Sequence, residues 1–144
     1  YQLQQQKLPA LERLMSERLK VMVVDADTVS RRLIQDTCLA ANPHVDCCAM
    51  ASAIEALLHL PVFKPHIMLI DLLMPKVDGW ELVKRLQQNE DFSKLQIITL
   101  STLSQTELKD RGGPPTGSRF IAKPIDLGWL RGYLVGLLAP QAWA

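Results

Sequence analysis

The sequence has little of what marks secreted, membrane-spanning or nucleic-acid-binding chains. Aromatic residues make up only 6% of its 144 residues, and the formal net charge is +1. That charge gives no bulk attraction to nucleic acid or to an anionic membrane surface. No apolar run reaches the roughly 20 residues that a membrane-spanning helix needs, and no signal peptide opens the chain. We therefore expect a cytoplasmic domain that binds neither nucleic acid nor membrane directly.

Cysteine is also scarce. The three cysteines are Cys38, Cys47 and Cys48, an odd number with two neighbours in sequence. Adjacent residues of a strand point to opposite faces, so a disulfide between Cys47 and Cys48 is unfavourable. We expect free, buried thiols in a reducing compartment. The three histidines show no spacing typical of a metal site.

The amino-terminal segment differs in composition from the rest of the chain. The first residue is tyrosine and not methionine, which indicates a piece of a longer protein. Residues 1–19 are rich in Gln, Leu, Glu and Arg, with apolar residues at helical spacing. They predict an extra amphipathic linker helix, which either connects to an upstream module or packs on its own domain. A domain over 20–140 and a tail over 141–144 complete the predicted organisation.

Short apolar runs alternate with helical patterns five times after this segment. Three runs are almost wholly apolar with β-branched residues, as is typical of parallel strands covered on both faces. Ser52, Asp78 and Ser104 each precede a glutamate by three residues, which predicts helix caps. The alternation predicts an α/β fold with a doubly wound, five-stranded parallel sheet. The predicted strands are Val21–Val24, Val45–Ala49, Ile67–Ile70, Ile97–Leu100 and Phe120–Ala122.

Polar residues follow four of these strands. In doubly wound folds the active crevice lies beyond the carboxyl ends of the strands, so these residues are expected at one edge of the sheet. Carboxylates, hydroxyl groups and an ammonium suit a magnesium ion and a phosphoryl group. The residues, in chain order, are Asp25, Asp27, Asp71, Ser101, Thr102 and Lys123.

Four ordered motifs resemble those of response-regulator receiver domains of two-component signalling, whose fold is of the CheY-like, flavodoxin-like type. The resemblance runs from about Leu19 to Pro140. The acidic motif is matched by "VVDADTVSRRL", which includes Arg31, and the phosphorylation loop by "DLLMPKVDGWEL". The hydroxyl and lysine motifs are matched by "LST" and "FIAKP".

The resemblance implies a role for each matched residue around the phosphoryl group. Asp71 is expected to accept that group from a phosphohistidine of a histidine kinase or phosphotransfer domain. Lys123 and Ser101 are expected to bind the phosphoryl oxygens. Ser101 and Phe120 are expected to form the switch that responds to phosphorylation. The bond between Lys123 and Pro124 is expected to be cis, which proline permits at modest cost.

The resemblance also implies a Mg²⁺ site formed by Asp25, Asp71 and the backbone carbonyl of Leu73. The family carries two adjacent acids after the first strand, whereas Ala26 stands in the second position here. Asp27 follows, and it is either a further metal ligand or the cap of the next helix. Because Mg²⁺ commonly binds through only one or two carboxylates, we expect weak magnesium binding and slow phosphorylation.

Two further departures concern helices. The run Gly112–Pro115 predicts that the fourth helix ends near Arg111. This shortening alters dimerisation or partner docking, or is a harmless loop variant. Gly128, Gly132 and Gly136 repeat every fourth residue in the last helix. The repeat favours close approach of the amino-terminal helix or of a second protomer in a homodimer, or marks a merely weak helix.

The sequence thus predicts a receiver that switches a covalently attached output or sensor module, with no enzymatic activity beyond phosphotransfer onto Asp71. The alternative is a degenerate receiver that serves as a phosphorylation-independent interaction or dimerisation module. A flavin- or nucleotide-binding domain is a third reading. It is disfavoured because no glycine-rich phosphate loop follows Val24.

Overall fold

The computed structural model describes residues 18–143, in which five parallel strands form one sheet. The strand order is β2-β1-β3-β4-β5. All five predicted strands are present, and each is one or two residues longer than predicted. The predicted α/β fold with a parallel sheet is therefore confirmed. The strands are β1 (Leu19–Val24), β2 (Val45–Met50), β3 (Ile67–Asp71), β4 (Gln96–Ser101) and β5 (Arg119–Ala122).

Within the described residues, five α-helices connect or follow the strands, and a 3₁₀ helix spans Glu90–Phe92. The predicted caps are present. Ser52, Asp78 and Ser104 each accept a hydrogen bond from the backbone N–H of the glutamate three residues later. These bonds satisfy N–H groups that have no partner within the helix. The α-helices are α1 (Thr28–Ala41), α2 (Ala53–Phe63), α3 (Gly79–Gln87), α4 (Gln105–Asp110) and α5 (Leu127–Trp143).

The core consists of two apolar layers, one on each face of the sheet. Alternate residues of each strand point to opposite faces, so Val21 and Val23 belong to one layer and Met22 and Val24 to the other. Helices α1 and α5 cover the first layer, and α2 and α3 cover the second. The sheet is therefore doubly wound, with helices on both of its faces.

The predicted amino-terminal helix over 1–19 lies outside the described residues except for its last two positions. There the prediction is wrong, because β1 already begins at Leu19. The Leu19 side chain is buried in the sheet core, and its N–H donates to the carbonyl of His44 over 2.9 Å. At the other end, α5 continues to Trp143. Within residues 18–143, no helix combines the length and apolar character needed to cross a bilayer.

Helix α4 ends at Asp110, close to where the glycine-proline run predicted. Gly112 and Gly113 have φ angles of 89° and 81°, which carry the chain out of the helix. The loop that follows is tied to α3 by side chains. The indole N–H of Trp80 donates to the carbonyl of Gly113 over 2.9 Å, and the Gln87 amide donates to the carbonyl of Thr116 over 2.5 Å. The segment after α4 is thus an ordered loop that is hydrogen-bonded to α3.

The last helix buries Leu130 and Leu134, as its periodicity predicted. A Cβ atom added at Gly132 or Gly136 would meet no other described atom within 4 Å. Within residues 18–143 nothing therefore packs against this part of the glycine repeat. The expected approach of another helix or protomer stays a prediction.

The three cysteines are free, as predicted. Cys38 is fully buried, whereas Cys47 and Cys48 are partly exposed. A hydrogen bond with Cys38 and burial raise the pKa of the Cys47 thiol far above its ordinary value. Burial raises the pKa of Cys48 to about 11. Thiols in this state are poor nucleophiles at neutral pH.

Candidate functional site

The carboxyl edge of the sheet brings Asp25, Asp71 and Lys123 together. Asp25 follows β1 and Asp71 ends β3, and these strands are neighbours in register, with Val24 opposite Ile70. Lys123 follows β5, two strands away from β3. Its Nζ atom lies 2.7 Å from Oδ2 of Asp25 and 3.4 Å from Oδ2 of Asp71. The structure thus assembles these groups at one place, although they are up to 98 residues apart in sequence.

The environment of Asp71 raises the pKa of its carboxyl group above the ordinary value. Burial raises its pKa above the ordinary value, and the nearby Asp25 acts in the same direction. The ammonium of Lys123 and a hydrogen bond from the N–H of Leu73, 3.2 Å long, partly oppose this effect. Burial makes the charged form of a carboxylate unfavourable. A cation beside it, or reaction with an electrophile, therefore lowers its free energy most.

Asp25 is fully buried, and both of its carboxylate oxygens have partners. Oδ1 accepts from the N–H of Asp27 over 2.9 Å, and Oδ2 accepts from Lys123. The guanidinium of Arg31 donates to the backbone carbonyl of Asp25 over 2.8 Å and so anchors the turn after β1. Asp25 is therefore fixed in position by contacts from α1 and from the segment after β5.

Asp27 serves as the helix cap, the second of its two sequence-based readings. Its carboxylate accepts from the N–H of Val29 over 3.3 Å, at the start of α1. The side chain of Ala26, between the two acids, is exposed and supplies no ligand. Among residues 18–143, no three acidic, histidine or cysteine side chains are grouped as a metal site requires. A dense acidic cluster is thus absent from this part of the chain.

The oxygen atoms of Asp25, Asp71 and Leu73 can still be compared with the ligands that Mg²⁺ requires. Asp25 and Asp71 are two carboxylates on neighbouring strands, and hard oxygen ligands of this kind suit Mg²⁺, which needs only one or two of them. The backbone of Leu73 lies beside Asp71. The chemistry fits, but Lys123 already neutralises part of the acidic charge. The oxygen ligands present therefore fit Mg²⁺ in kind.

The hydroxyl and aromatic positions lie on the strands next to this group. Ser101 is buried at the end of β4, and its Oγ accepts from the N–H of Leu103 over 3.0 Å, which leaves the hydroxyl proton available for donation. Phe120 is partly buried in β5, where it pairs with Thr99. The bond between Lys123 and Pro124 is cis, as predicted.

A cavity of about 570 Å³ opens beside Asp71 and Lys123. Its polar wall includes Thr102, and its apolar wall comes from α1 and from the start of α5. Val29 and Leu33, which are exposed large apolar residues on α1, also line this cavity and were not predicted as site residues. Their i, i+4 spacing beside the buried row of the same helix was the signal available.

Comparison with known proteins identifies the same family that the sequence motifs resemble. Residues 21–134 match the family described as "Response regulator receiver domain". "Response regulator Rre1" from Synechocystis is 27% identical over 127 residues, which cover 88% of this chain and 54% of that protein. "Protein PilG" from Pseudomonas aeruginosa is 26% identical over 110 residues, covering 76% and 80% respectively. The chain spans about half the length, or less, of the first four curated relatives.

Solved structures show the same fold. The receiver domain of the Francisella response regulator 1452 superposes with a TM-score of 0.69 at 27% identity, covering 85% of this chain and 98% of that one. A response regulator from Chloroflexus aurantiacus, described as putative in its structure title, gives a TM-score of 0.72 at 24% identity, with the same coverage. At that lower identity the likeness concerns the fold alone.

Proposed function

Because this chain belongs to the response regulator receiver domain family, we propose that it accepts a phosphoryl group on Asp71 from a histidine kinase or phosphotransfer domain. The phosphorylated domain then switches an attached output or sensor module. One observation carries this proposal: the ammonium of Lys123 lies within 3.4 Å of a buried Asp71 carboxylate that borders an open cavity. A nucleophile, a cation and a route for the donor are thus in one place.

The chemistry follows from these positions. An Asp71 oxygen attacks the phosphorus of the phosphohistidine, the phosphorus–nitrogen bond breaks, and the imidazole leaves with the bonding electrons. Such transfer depends mainly on positioning and charge neutralisation. Lys123 supplies one positive charge, and a small shift away from Asp25 brings it to the new phosphoryl oxygens. Asp25, Asp71 and the carbonyl of Leu73 would hold Mg²⁺, which would neutralise further charge.

Ser101 connects the reaction to a change of shape. Its hydroxyl proton is available, because the oxygen accepts a hydrogen bond from Leu103 and does not need that proton for the contact. Donation to a phosphoryl oxygen would pull the loop after β4 toward Asp71. The partly buried ring of Phe120, on the adjacent β5, would move into the space this loop vacates. We infer that these two residues transmit the switch to the α4–β5 surface.

Val29 and Leu33 support docking of a protein phosphodonor. They are exposed apolar residues beside the cavity that opens at Asp71. An apolar rim around a polar crevice is a suitable contact for a helix that carries the phosphohistidine. The partner is therefore proposed to approach over the amino-terminal half of α1.

A second candidate function is an interaction module that works without phosphate. The favouring observation is that Ala26 supplies no metal ligand while both oxygens of Asp25 already have partners. Weak metal binding would then leave Asp71 unreactive, and the apolar surfaces alone would carry the function.

The test is intact-mass measurement after incubation with acetyl phosphate and Mg²⁺. The wild-type chain should gain one phosphoryl group, and Asp71→Asn should gain none. Asp27→Asn is the matched control: asparagine caps helices as well as aspartate does, so labelling should persist. Absence of label from both the wild type and Ala26→Asp would favour the phosphate-independent module.

A further inference from the structure

Helix α3 begins directly against the backbone at the end of β3. The N–H of Gly79 donates to the carbonyl of Leu72, the residue after Asp71, over 3.0 Å. The two residues are so close that a Cβ atom added at Gly79 would lie 2.6 Å from the Cα of Leu72. Close-packed atoms leave no free space that could absorb a displacement. A shift of the backbone at Asp71 and Leu72 is therefore passed to the first turn of α3.

Trp80, the next residue of that turn, holds the loop between α4 and β5. Its indole N–H, which can only donate, bonds to the carbonyl of Gly113 over 2.9 Å. The guanidinium carbon of Arg111 lies 5.6 Å from the centre of the Trp80 ring, which is a cation–π distance. The run of glycines and prolines at residues 112–115 follows the end of α4, so the indole bonds to a carbonyl that lies outside the helix. Trp80 thus joins the end of β3 to this loop.

The loop that contains Gly113 leads into β5, and Lys123 directly follows that strand. A second side chain of α3 also holds the loop. Gln87, at the far end of the helix, donates to the carbonyl of Thr116. The loop is therefore tied to both ends of α3, but only the contact made by Trp80 lies beside the end of β3.

We propose that Trp80 is a second element of the switch, which passes a change at Asp71 to the α4–β5 loop through its hydrogen bond to Gly113. This inference rests on the proposed phosphorylation of Asp71. The phosphoryl group brings further negative charge into the site, so the backbone that carries Asp71 adjusts. Gly79 follows because it is in close contact, and the indole carries the movement to the loop. The route is separate from that through Ser101, which acts on the loop after β4.

Tryptophan fluorescence tests the proposal directly. Trp129→Phe combined with Trp143→Phe leaves Trp80 as the only indole of the chain. During incubation with acetyl phosphate and Mg²⁺, the emission of Trp80 should change in proportion to the labelled fraction found by intact mass. With Asp71→Asn added, the emission should stay constant. Labelling without a change in emission overturns the inference and leaves the proposed function standing, whereas absence of label contradicts both.

Hydrogen exchange of residues 112–118 separates transmission from simple support of the loop. Trp80→Phe and Gln87→Met each remove one side-chain hydrogen bond from α3 to the loop, but only Trp80 adjoins Gly79. At equal labelled fractions, phosphorylation should alter the exchange of the loop amides in the wild type and in Gln87→Met, and this response should be lost in Trp80→Phe. Melting curves establish that both variants are folded. A Trp80→Phe protein that keeps the full response, or loss of the response in both variants, overturns the proposal.

Discussion

The ammonium of Lys123 bridges Asp25 and Asp71, at 2.7 Å from one carboxylate and 3.4 Å from the other. The lysine side chain is only 11% exposed, and Asp25 is fully buried. Water therefore screens this contact weakly, and the two acids depend on a single cation from a distant part of the sequence. The contact ties β5 to β1 and β3 at the functional edge of the sheet.

Lys123→Met should destabilise the fold by about 3 kcal/mol or more, because it leaves a buried carboxylate without its cation. Urea denaturation measures the loss. Adding Asp25→Asn removes the stranded charge, so the double variant should lose less stability than the sum of the two single variants. A cost for Lys123→Met of under about 1 kcal/mol, the range of exposed pairs, would contradict the buried bridge.

Ala26→Asp should tighten magnesium binding by ~10- to 100-fold, the range typical of a supporting group at a metal site. The position is exposed, so the new carboxylate fits without displacing neighbours. Titration calorimetry measures the affinity. The neutral isostere Ala26→Asn is the control and should change it much less. Equal effects of both substitutions would show that the charge at this position does not affect the magnesium affinity.

Gly79→Ala should destabilise the protein by about 1–3 kcal/mol, as overpacking does. An added Cβ would lie 2.6 Å from the Cα of Leu72 and 2.8 Å from the carbonyl oxygen of Asp71, both backbone atoms. The displaced backbone belongs to Asp71, the proposed phosphoacceptor, and to the residue after it, so labelling of Asp71 should slow as well. Thermal unfolding measures the first effect, and a normal melting temperature would refute it.

Gly132→Ala makes the same substitution at a glycine with free space around it. Its added Cβ meets no described atom within 4 Å, so better helix propensity should stabilise the protein by about 0.5–1 kcal/mol. Gly132→Leu tests the predicted close approach of a further helix or protomer. An unchanged melting temperature and an unchanged oligomeric state in that variant would contradict the predicted approach.

The capping box of α4 should make its stability depend on pH. A hydrogen bond from the backbone N–H of Ser104 to the Glu107 carboxylate, with the Ser104 hydroxyl acting in the same direction, holds the pKa of Glu107 below its ordinary value of 4.5. The stabilisation is therefore complete above that ordinary value and is lost as the pH falls through the lowered one. Amide exchange of α4, followed from neutral pH into acid, should show this loss. Glu107→Gln should abolish the pH dependence, and an unaltered profile in that variant would refute the assignment.

Local sequence patterns predicted the strands and helix starts well. Short apolar runs and cap residues act within a few positions, so the caps at Ser52, Asp78 and Ser104 follow from neighbours in the chain. The end of α4 was predictable for the same reason, because glycine and proline act on their own backbone. The prediction that residue 19 is helical failed, since its burial depends on contact with the α1–β2 loop and the sheet core.

The sequence by itself determined the order of the elements and the gathering of acids, hydroxyl and lysine at one sheet edge, because parallel strands all end on the same side. Only the tertiary structure decided which acid Lys123 holds most closely and that the Trp80 indole reaches Gly113. Helix α2 shows the reason: it is apolar almost all round, so its sequence cannot say which side is covered. Burial and pairing over long distances depend on how the whole chain packs, and no local pattern encodes that.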